Sequence, residues 1–193
     1  MKIIRLNLIK GVSYFDPPAN TDKVKQALSA NKAGILEWYL KTPKKFKDIV
    51  FEKPSKNYNI SRIGFFINKN SDVLITSANL NLNTKKFRSP CVISKDYITK
   101  TDEMKEGKGV VRVGEPCILY WQDAAANFGL GTIEEITEKS HVVDVANVGF
   151  LLHKDDKETY IAPHKNNDHD MYREVLVVPT SNIVSLKKLV LKT

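Results

Sequence analysis

The densest group of side chains that could hold a metal ion lies in one short segment of the C-terminal half. Two imidazoles and two carboxylates fall within seven residues, at His164, Asp168, His169 and Asp170. Nitrogen and oxygen donors of these types bind divalent ions such as Zn²⁺ and Mn²⁺. A polar loop has the same composition without a metal, and closed sites draw their ligands from more than one element. We keep the four residues as metal candidates for a hydrolase, and otherwise we expect no cofactor.

A second segment, Leu74–Asn81, resembles the end of the phospholipase D catalytic motif, which reads Ser-x-Asn after an apolar strand. Here these positions are Ser77 and Asn79. The family also has a His-x-Lys shortly before, whereas no histidine precedes His141 in this chain. The nucleophile is therefore missing. The sequence also has no glycine-rich phosphate loop and no nucleophile elbow, so we interpret the protein as non-catalytic.

The basic residues are concentrated in the first half of the chain. The net charge is +8, and residues 1–105 hold 20 of the 30 basic residues but only 9 of the 22 acidic ones. Such asymmetry is typical of proteins that meet nucleic acid or another anionic partner. Lysine outnumbers arginine by 25 to 5, which favours contact with the phosphate backbone over reading of bases. Lysine and asparagine at solvent positions would give the same composition without any such contact.

Two lysine clusters are the predicted nucleic-acid contacts, and aromatic residues beside the first cluster could stack on bases. The partner is DNA or RNA, and binding should depend on salt. The predicted residues are Lys44, Lys45, Lys47, Lys85, Lys86 and Arg88, with Trp38 and Phe46 for stacking.

An alternative function follows from the aromatic residues around residues 120–128. Tyr120, Trp121 and Phe128 lie close together in the sequence. Aromatic residues are enriched at protein interfaces, so these three could form a groove for a protein partner. The chain would then be a protein-binding adaptor.

The stretch Gly109–Thr137 predicts the fold of the C-terminal half. An alternating strand follows Gly114-Glu115-Pro116, and Gly131 precedes a second alternating segment. This pattern is similar to the opening hairpin of SH3-like barrels of the KOW and Tudor type. The resemblance extends through a hairpin at 148–162 and a short turn before a final strand at Val184–Leu191. It implies a small β-barrel over residues 106–193.

The N-terminal half is predicted to combine helix and sheet. Residues 2–9 alternate like a strand, and an amphipathic pattern runs through residues 21–40 as one helix or as two helices hinged near Gly34. The expected fold class is therefore α+β and mainly β. Residues 1–105 form a basic region and residues 106–193 the barrel, with the two sharing a core as the alternative. We find no internal repeat of fixed period.

The remaining features predict a cytoplasmic protein. No apolar run reaches the roughly 20 residues that a membrane span needs, and Arg5 and Lys10 interrupt the apolar N-terminus. Cys91 and Cys117 lack metal-ligand spacing and are expected as buried, reduced thiols. The oligomeric state does not follow from the sequence.

Overall fold

A computed structural model describes residues 1–9, 59–69, 73–123 and 142–193. The predicted helical segment at 21–40 lies outside the described residues. Within the described part the chain forms fourteen strands and two short 3₁₀ turns, and none of its helices has the length and apolar character to cross a bilayer.

The strands fall into two sets of seven. The first set is β1 (Ile3–Leu8), β2 (Ile60–Lys69), β3 (Val73–Ser77), β4 (Asn79–Asn81), β5 (Lys86–Arg88), β6 (Cys91–Ser94) and β7 (Ile98–Glu106). The second set is β8 (Pro116–Asp123), β9 (Val143–Lys154), β10 (Glu158–Ala162), β11 (His164–Asn166), β12 (Met171–Arg173), β13 (Leu176–Pro179) and β14 (Ile183–Leu191). The 3₁₀ turns Lys95–Tyr97 and Thr180–Asn182 each precede the last strand of a set.

All fourteen strands belong to one curled antiparallel sheet that forms a half-barrel. Its main path runs β12-β11-β2-β1-β7-β14-β8-β9-β10-β13, with β3 and β6 attached to β2 and with β4 and β5 attached to β9. A block of strands from before residue 106 therefore lies between two blocks from after it, along a single hydrogen-bonded sheet.

The predicted fold class is wrong in its architecture. We expected a helix-plus-sheet region followed by an SH3-like barrel, whereas the described part contains no α-helix and its strands make one open, curled sheet. The reason is that β14 pairs with β7 as well as with β8. The last strand thus continues the sheet into the N-terminal half. The hairpin at 148–162 and the turn before β14 do lie where the sequence predicted them.

The two strand sets are an internal repeat, which the sequence analysis missed. From β2 to β7, each element of the first set has its counterpart 85 residues later: β3 begins at Val73 and β10 at Glu158, while β5 begins at Lys86 and β12 at Met171. The pairings repeat as well, since β1–β2, β2–β3, β3–β6 and β4–β5 correspond to β8–β9, β9–β10, β10–β13 and β11–β12. We call residues 1–106 and 107–193 the first and second repeat.

Irregular backbone positions follow the same spacing. Lys85 and Ser89 have φ of 57° and 49°, and their counterparts Asp170 and Glu174 have φ of 49° and 63°. The β-bulges of the described strands also correspond in two pairs: one pair lies at Phe66–Asn68 and beside Tyr160–Ile161, and the other lies beside Asn7–Leu8 and at Ile183–Ser185. Such positions are costly for non-glycine residues. Their recurrence at one spacing shows that both repeats have the same local backbone.

Three apolar clusters form the core. A central cluster takes side chains from both repeats, including Phe65 and Met104 and their counterparts Phe150 and Leu189. Each repeat has a second cluster of its own, around Leu6 in the first and Leu119 in the second. Cys91 and Cys117 are both free and buried in these separate clusters, as expected.

The repeats are also joined by an exchange of short hairpins. The arm β4–β5 of the first repeat pairs with β9 of the second, and the arm β11–β12 pairs with β2 of the first. Reciprocal backbone bonds mark this symmetry: Ile63 N–H donates to Pro163 O, and Val148 N–H donates to Ala78 O. Each arm is thus held by the other repeat.

Candidate functional site

The described part of the second lysine cluster lies on the arm of the first repeat. Lys85 and Lys86 are exposed at the turn from β4 to β5, and Arg88 is 3.6 Å from Asp123. A hollow of about 430 Å³ lies against this arm, and Lys86, Phe87 and Arg88 are among its lining residues. The Ser77 hydroxyl donates to the Arg88 carbonyl and fixes the base of the arm.

The arm of the second repeat has the same backbone and different charges. Lys85 and Lys86 correspond to Asp170 and Met171. This turn of the second arm carries no lysine or arginine. Instead the Asp170 carboxylate forms an ion pair with the Lys165 ammonium at 2.7 Å. The fold therefore accepts residues other than lysine at this turn.

The four metal candidates lie on the second arm, but they do not converge. His164 is buried in β11, whereas Asp168 accepts a hydrogen bond from the Asn59 N–H, and Asp170 pairs with Lys165. His169 is exposed at the turn. Among the residues that the structure describes, no three His, Cys, Asp or Glu side chains are placed to hold a metal ion.

The other predicted nucleic-acid residues lie outside the described ranges. These are Trp38, Lys44, Lys45, Phe46 and Lys47. Their role in nucleic-acid binding remains a prediction. Of the predicted contact residues, those of the first arm are the ones with a described geometry.

Two of the three predicted groove residues line a common hollow. Tyr120 and Trp121 border a space of about 350 Å³ together with Leu82 and Val184. Trp121 is mostly buried and donates from Nε1 to the Asn147 Oδ1 at 2.8 Å. Phe128 lies outside the described residues. Trp121 therefore supports the core as well as the hollow.

Tyr120 lies in a small charged network beside this hollow. Its hydroxyl donates to Glu106 at 2.7 Å, and Lys187 lies over its ring at 5.3 Å. Burial and the hydrogen bond to Glu106 raise the pKa of the phenol well above its usual value. The tyrosine is therefore neutral and positioned as a hydrogen-bond donor and an apolar wall.

A buried ionic cluster joins the repeats near the second arm. Arg62 on β2 is 1% exposed and donates to both carboxylate oxygens of Glu174, at 2.7 and 3.4 Å. The His164 Nδ1 lies 3.7 Å from the same carboxylate. The counterparts of Arg62, Glu174 and His164 are Asn147, Ser89 and Asn79. The ionic cluster is therefore specific to one half of the molecule.

Burial shifts the protonation of this cluster. Desolvation, together with Arg62 and Arg173, lowers the pKa of His164 to about 4, so the imidazole is neutral at pH 7. Desolvation raises the pKa of Glu174 to about 7, but the guanidinium 2.7 Å away favours the carboxylate. Since Arg62 stays protonated in proteins, we treat Glu174 as ionised at neutral pH.

The sequence analysis missed a third set of residues. Lys2, Lys69 and Lys95 come from β1, β2 and the first 3₁₀ turn, and all three line one hollow of about 480 Å³ beside Phe66. They are far apart in the sequence, so no local motif marks them. The excess of lysine in the first half was the one available signal.

Comparison of the chain with models of protein families, with curated proteins and with solved structures finds no match.

The ion pair between the repeats is open to a direct test. We expect Glu174→Ser to cost about 3–5 kcal/mol of unfolding free energy, because it leaves the buried guanidinium without its carboxylate. The double variant Arg62→Asn/Glu174→Ser, which copies the counterpart residues Asn147 and Ser89, should recover about half of that loss or more. Urea unfolding of the wild type, both single variants and the double variant gives the coupling energy. If the losses of unfolding free energy in the two single variants simply add up in the double variant, the ion pair does not contribute as expected.

The lowered pKa of His164 predicts that the folded state loses stability in acid. The folded pKa of about 4 lies below the ordinary value of 6.5, so between these values the unfolded state binds more protons. Stability should therefore fall as the pH drops from 6.5 to 4, by at most about 3 kcal/mol from this group. His164→Asn, which copies Asn79, should lose less stability over this range in urea unfolding. Arg62, Arg173 and Glu174 face the imidazole and are unchanged in the comparison. Parallel pH profiles of the two proteins would refute the assignment.

Proposed function

We propose that the protein is a non-catalytic nucleic-acid-binding protein that contacts the phosphate backbone through its lysine-rich half. The arm β4–β5 is the described part of the contact surface. Lys85, Lys86 and Arg88 would hold phosphates there, together with Lys44, Lys45 and Lys47 and with stacking by Trp38 or Phe46.

The supporting observation is the difference between the two arms. Their backbones correspond residue by residue, including the left-handed positions at Lys85 and Asp170. One turn carries Lys85-Lys86, and the other carries Asp170-Met171. Because the fold accepts either charge at this turn, the exposed Lys86 is explained better by binding than by a requirement of the fold.

The chemistry favours phosphates over bases. A lysine ammonium is a point charge without the planar fork with which arginine reads guanine. Arg88 is the one arginine of this arm, and its guanidinium is engaged by Asp123. Contact by the lysines should therefore tolerate any sequence and weaken steeply with salt.

Reversal of charge on the arm tests the proposal. Binding of labelled DNA and RNA oligonucleotides is measured by fluorescence anisotropy over a series of salt concentrations. Lys85→Glu/Lys86→Glu should weaken binding about tenfold or more and lower the slope of log K against log salt by about 2. The control Lys154→Glu/Lys157→Glu makes the same charge change at the turn between β9 and β10 and should leave the slope nearly unchanged. Absence of binding at low salt, or equal effects of both variants, would reject the proposal.

A second candidate function is that of a protein-binding adaptor, which the hollow beside Tyr120 and Trp121 favours. Val184 lies on its rim with 65% of its surface exposed. In the first repeat the counterpart of Val184 is Thr99. Val184 borders the hollow together with Leu82 and Tyr120, and contiguous exposed apolar groups mark interaction surfaces. Thr99 shows that the fold does not need valine at this position.

The adaptor function is tested at the rim, since replacing the buried Trp121 would disturb the core. Val184→Glu should abolish capture of a partner while leaving the thermal unfolding midpoint within about 2 °C of the wild type. Val184→Thr, which copies Thr99, should weaken capture less. Capture that survives Val184→Glu would remove this candidate.

A further inference from the structure

The open hollow of the first repeat has an apolar floor and a basic rim. Ile4, Leu74 and Ile98 line its floor, Phe66 forms one wall, and Thr101 also lines it. The rim carries Lys2, Lys69 and Lys95. Lys2 lies over the Phe66 ring at 5.9 Å and pairs with Glu103 at 3.0 Å. Among the ion pairs of the described residues, none involves Lys69 or Lys95.

The second repeat shows how the corresponding space is filled. Ile4 and Phe66 correspond to Cys117 and Leu151, which belong to the second repeat's own core cluster, and Val111 packs against that cluster. A turn holds Val111 in place, because Gly114 N–H donates to Leu151 O at 2.7 Å and Glu115 N–H donates to Arg112 O at 3.0 Å. A segment that ends in this turn thus packs one aliphatic side chain, Val111, against the cluster that corresponds to the lining of the first hollow.

The two hollows differ in polarity at equivalent positions. Thr101 corresponds to Leu186, which helps to close the second cluster. The ion pair Lys2–Glu103 corresponds to Glu115–Lys188, at 2.6 Å and with the charges exchanged. Lys95 corresponds to the neutral Thr180. Lys69 corresponds to another lysine, Lys154, and the two ion pairs carry no net charge, so Lys95 alone makes the first hollow the more basic of the two.

We propose that the hollow of the first repeat is a docking site for a polypeptide segment of a partner protein, which inserts one aliphatic side chain and carries acidic residues on either side. The inserted side chain takes the place that Val111 has in the second repeat. The acidic residues pair with Lys69 and Lys95, whose charges no described residue neutralises. This site is separate from the arm proposed to contact nucleic acid.

A nucleic acid fits these observations less well. In the second repeat the corresponding cluster is covered by the aliphatic side chain of Val111, and the floor of the first hollow is aliphatic. Bases are held mainly by stacking on exposed aromatic rings, whereas Phe66 is partly buried and already has the Lys2 ammonium over its ring. Charge complementarity and internal symmetry together favour an acidic peptide.

The test uses a peptide designed from the chain. A fluorescein-labelled peptide copies residues 107–116 with Lys108→Glu and Arg112→Glu, and its affinity for the full-length protein is measured by fluorescence polarisation. We expect saturable binding that Lys69→Glu/Lys95→Glu weakens about tenfold or more, because two rim charges are reversed. Lys154→Glu/Lys157→Glu and Lys85→Glu/Lys86→Glu should leave the peptide affinity within about twofold.

Two further variants test the apolar part of the site. Replacement of the peptide's copy of Val111 by serine should weaken binding about tenfold, because an aliphatic side chain is no longer buried. Thr101→Phe should block the hollow without a change of charge. Thermal unfolding confirms that each protein variant is folded. If Thr101→Phe is not folded, Thr101→Leu, which copies Leu186, takes its place.

Three outcomes would overturn the proposal. The first is that the peptide does not bind. The second is that it binds but that Lys69→Glu/Lys95→Glu and Thr101→Phe leave its affinity unchanged. The third is that an oligonucleotide displaces the peptide and binds Thr101→Phe more weakly than the wild type. The last outcome would make nucleic acid the occupant of the hollow. Loss of oligonucleotide binding in Lys85→Glu/Lys86→Glu, with peptide binding intact, would support both proposals.

Discussion

The structure depends on burial of the apolar face that the two repeats share. A curled sheet of five to seven short strands has an apolar inner face that it cannot cover alone. The central cluster solves this for both repeats at once, with Phe65 and Phe150 at equivalent positions. The ring of Phe65 lies 6.2 Å from Phe87, and that of Phe150 lies 6.4 Å from Tyr172. In each repeat the arm thus supplies one ring to the central core, and the base of that arm pairs with the other repeat.

This mutual dependence limits where the repeats can diverge. Gly64 and Gly149 are both retained because a Cβ at either position would lie 2.8 Å from the neighbouring strand, at Thr76 or Ala162. Exposed positions and the polar positions between the repeats are freer. Arg62 and Asn147 illustrate this, since one forms an ion pair with Glu174 and the other accepts from Trp121 and donates to the Ala78 carbonyl. Both satisfy buried polar groups with different partners.

The strands could be predicted from the sequence more readily than their arrangement. Apolar and β-branched residues on either side of a polar turn marked the hairpin of β9 and β10, and apolar runs marked β1 and β14. β9 is buried on both faces from Val145 to Leu151, so its side chains do not alternate between core and solvent. The SH3-like barrel was wrong because a strand pattern says which side chains are buried and not which strand lies beside them. The pairing of β7 with β14 spans more than 80 residues and leaves no local pattern. The repeat was also hidden, since residues 60–106 and 145–191 share the same residue type at few positions, among them Gly64/Gly149 and Phe65/Phe150.

The candidate sites, in contrast to the strands, are marked by differences between equivalent positions of the two repeats. Sequence alone could nominate Lys85, Lys86 and Tyr120 from local clusters, but it could not bring Lys2 beside Lys69 and Lys95. A duplicated fold provides its own control: where the backbone is the same and stability is satisfied in one repeat by Asp170 or Val111, a lysine turn or an open hollow in the other repeat is not required by folding. Residue differences at such matched positions can therefore be assigned to binding with more weight than exposure or charge alone would carry. The difference at Arg62 and Glu174 is weaker evidence for a binding role, because each of these charged groups needs the other as its partner in the buried ion pair.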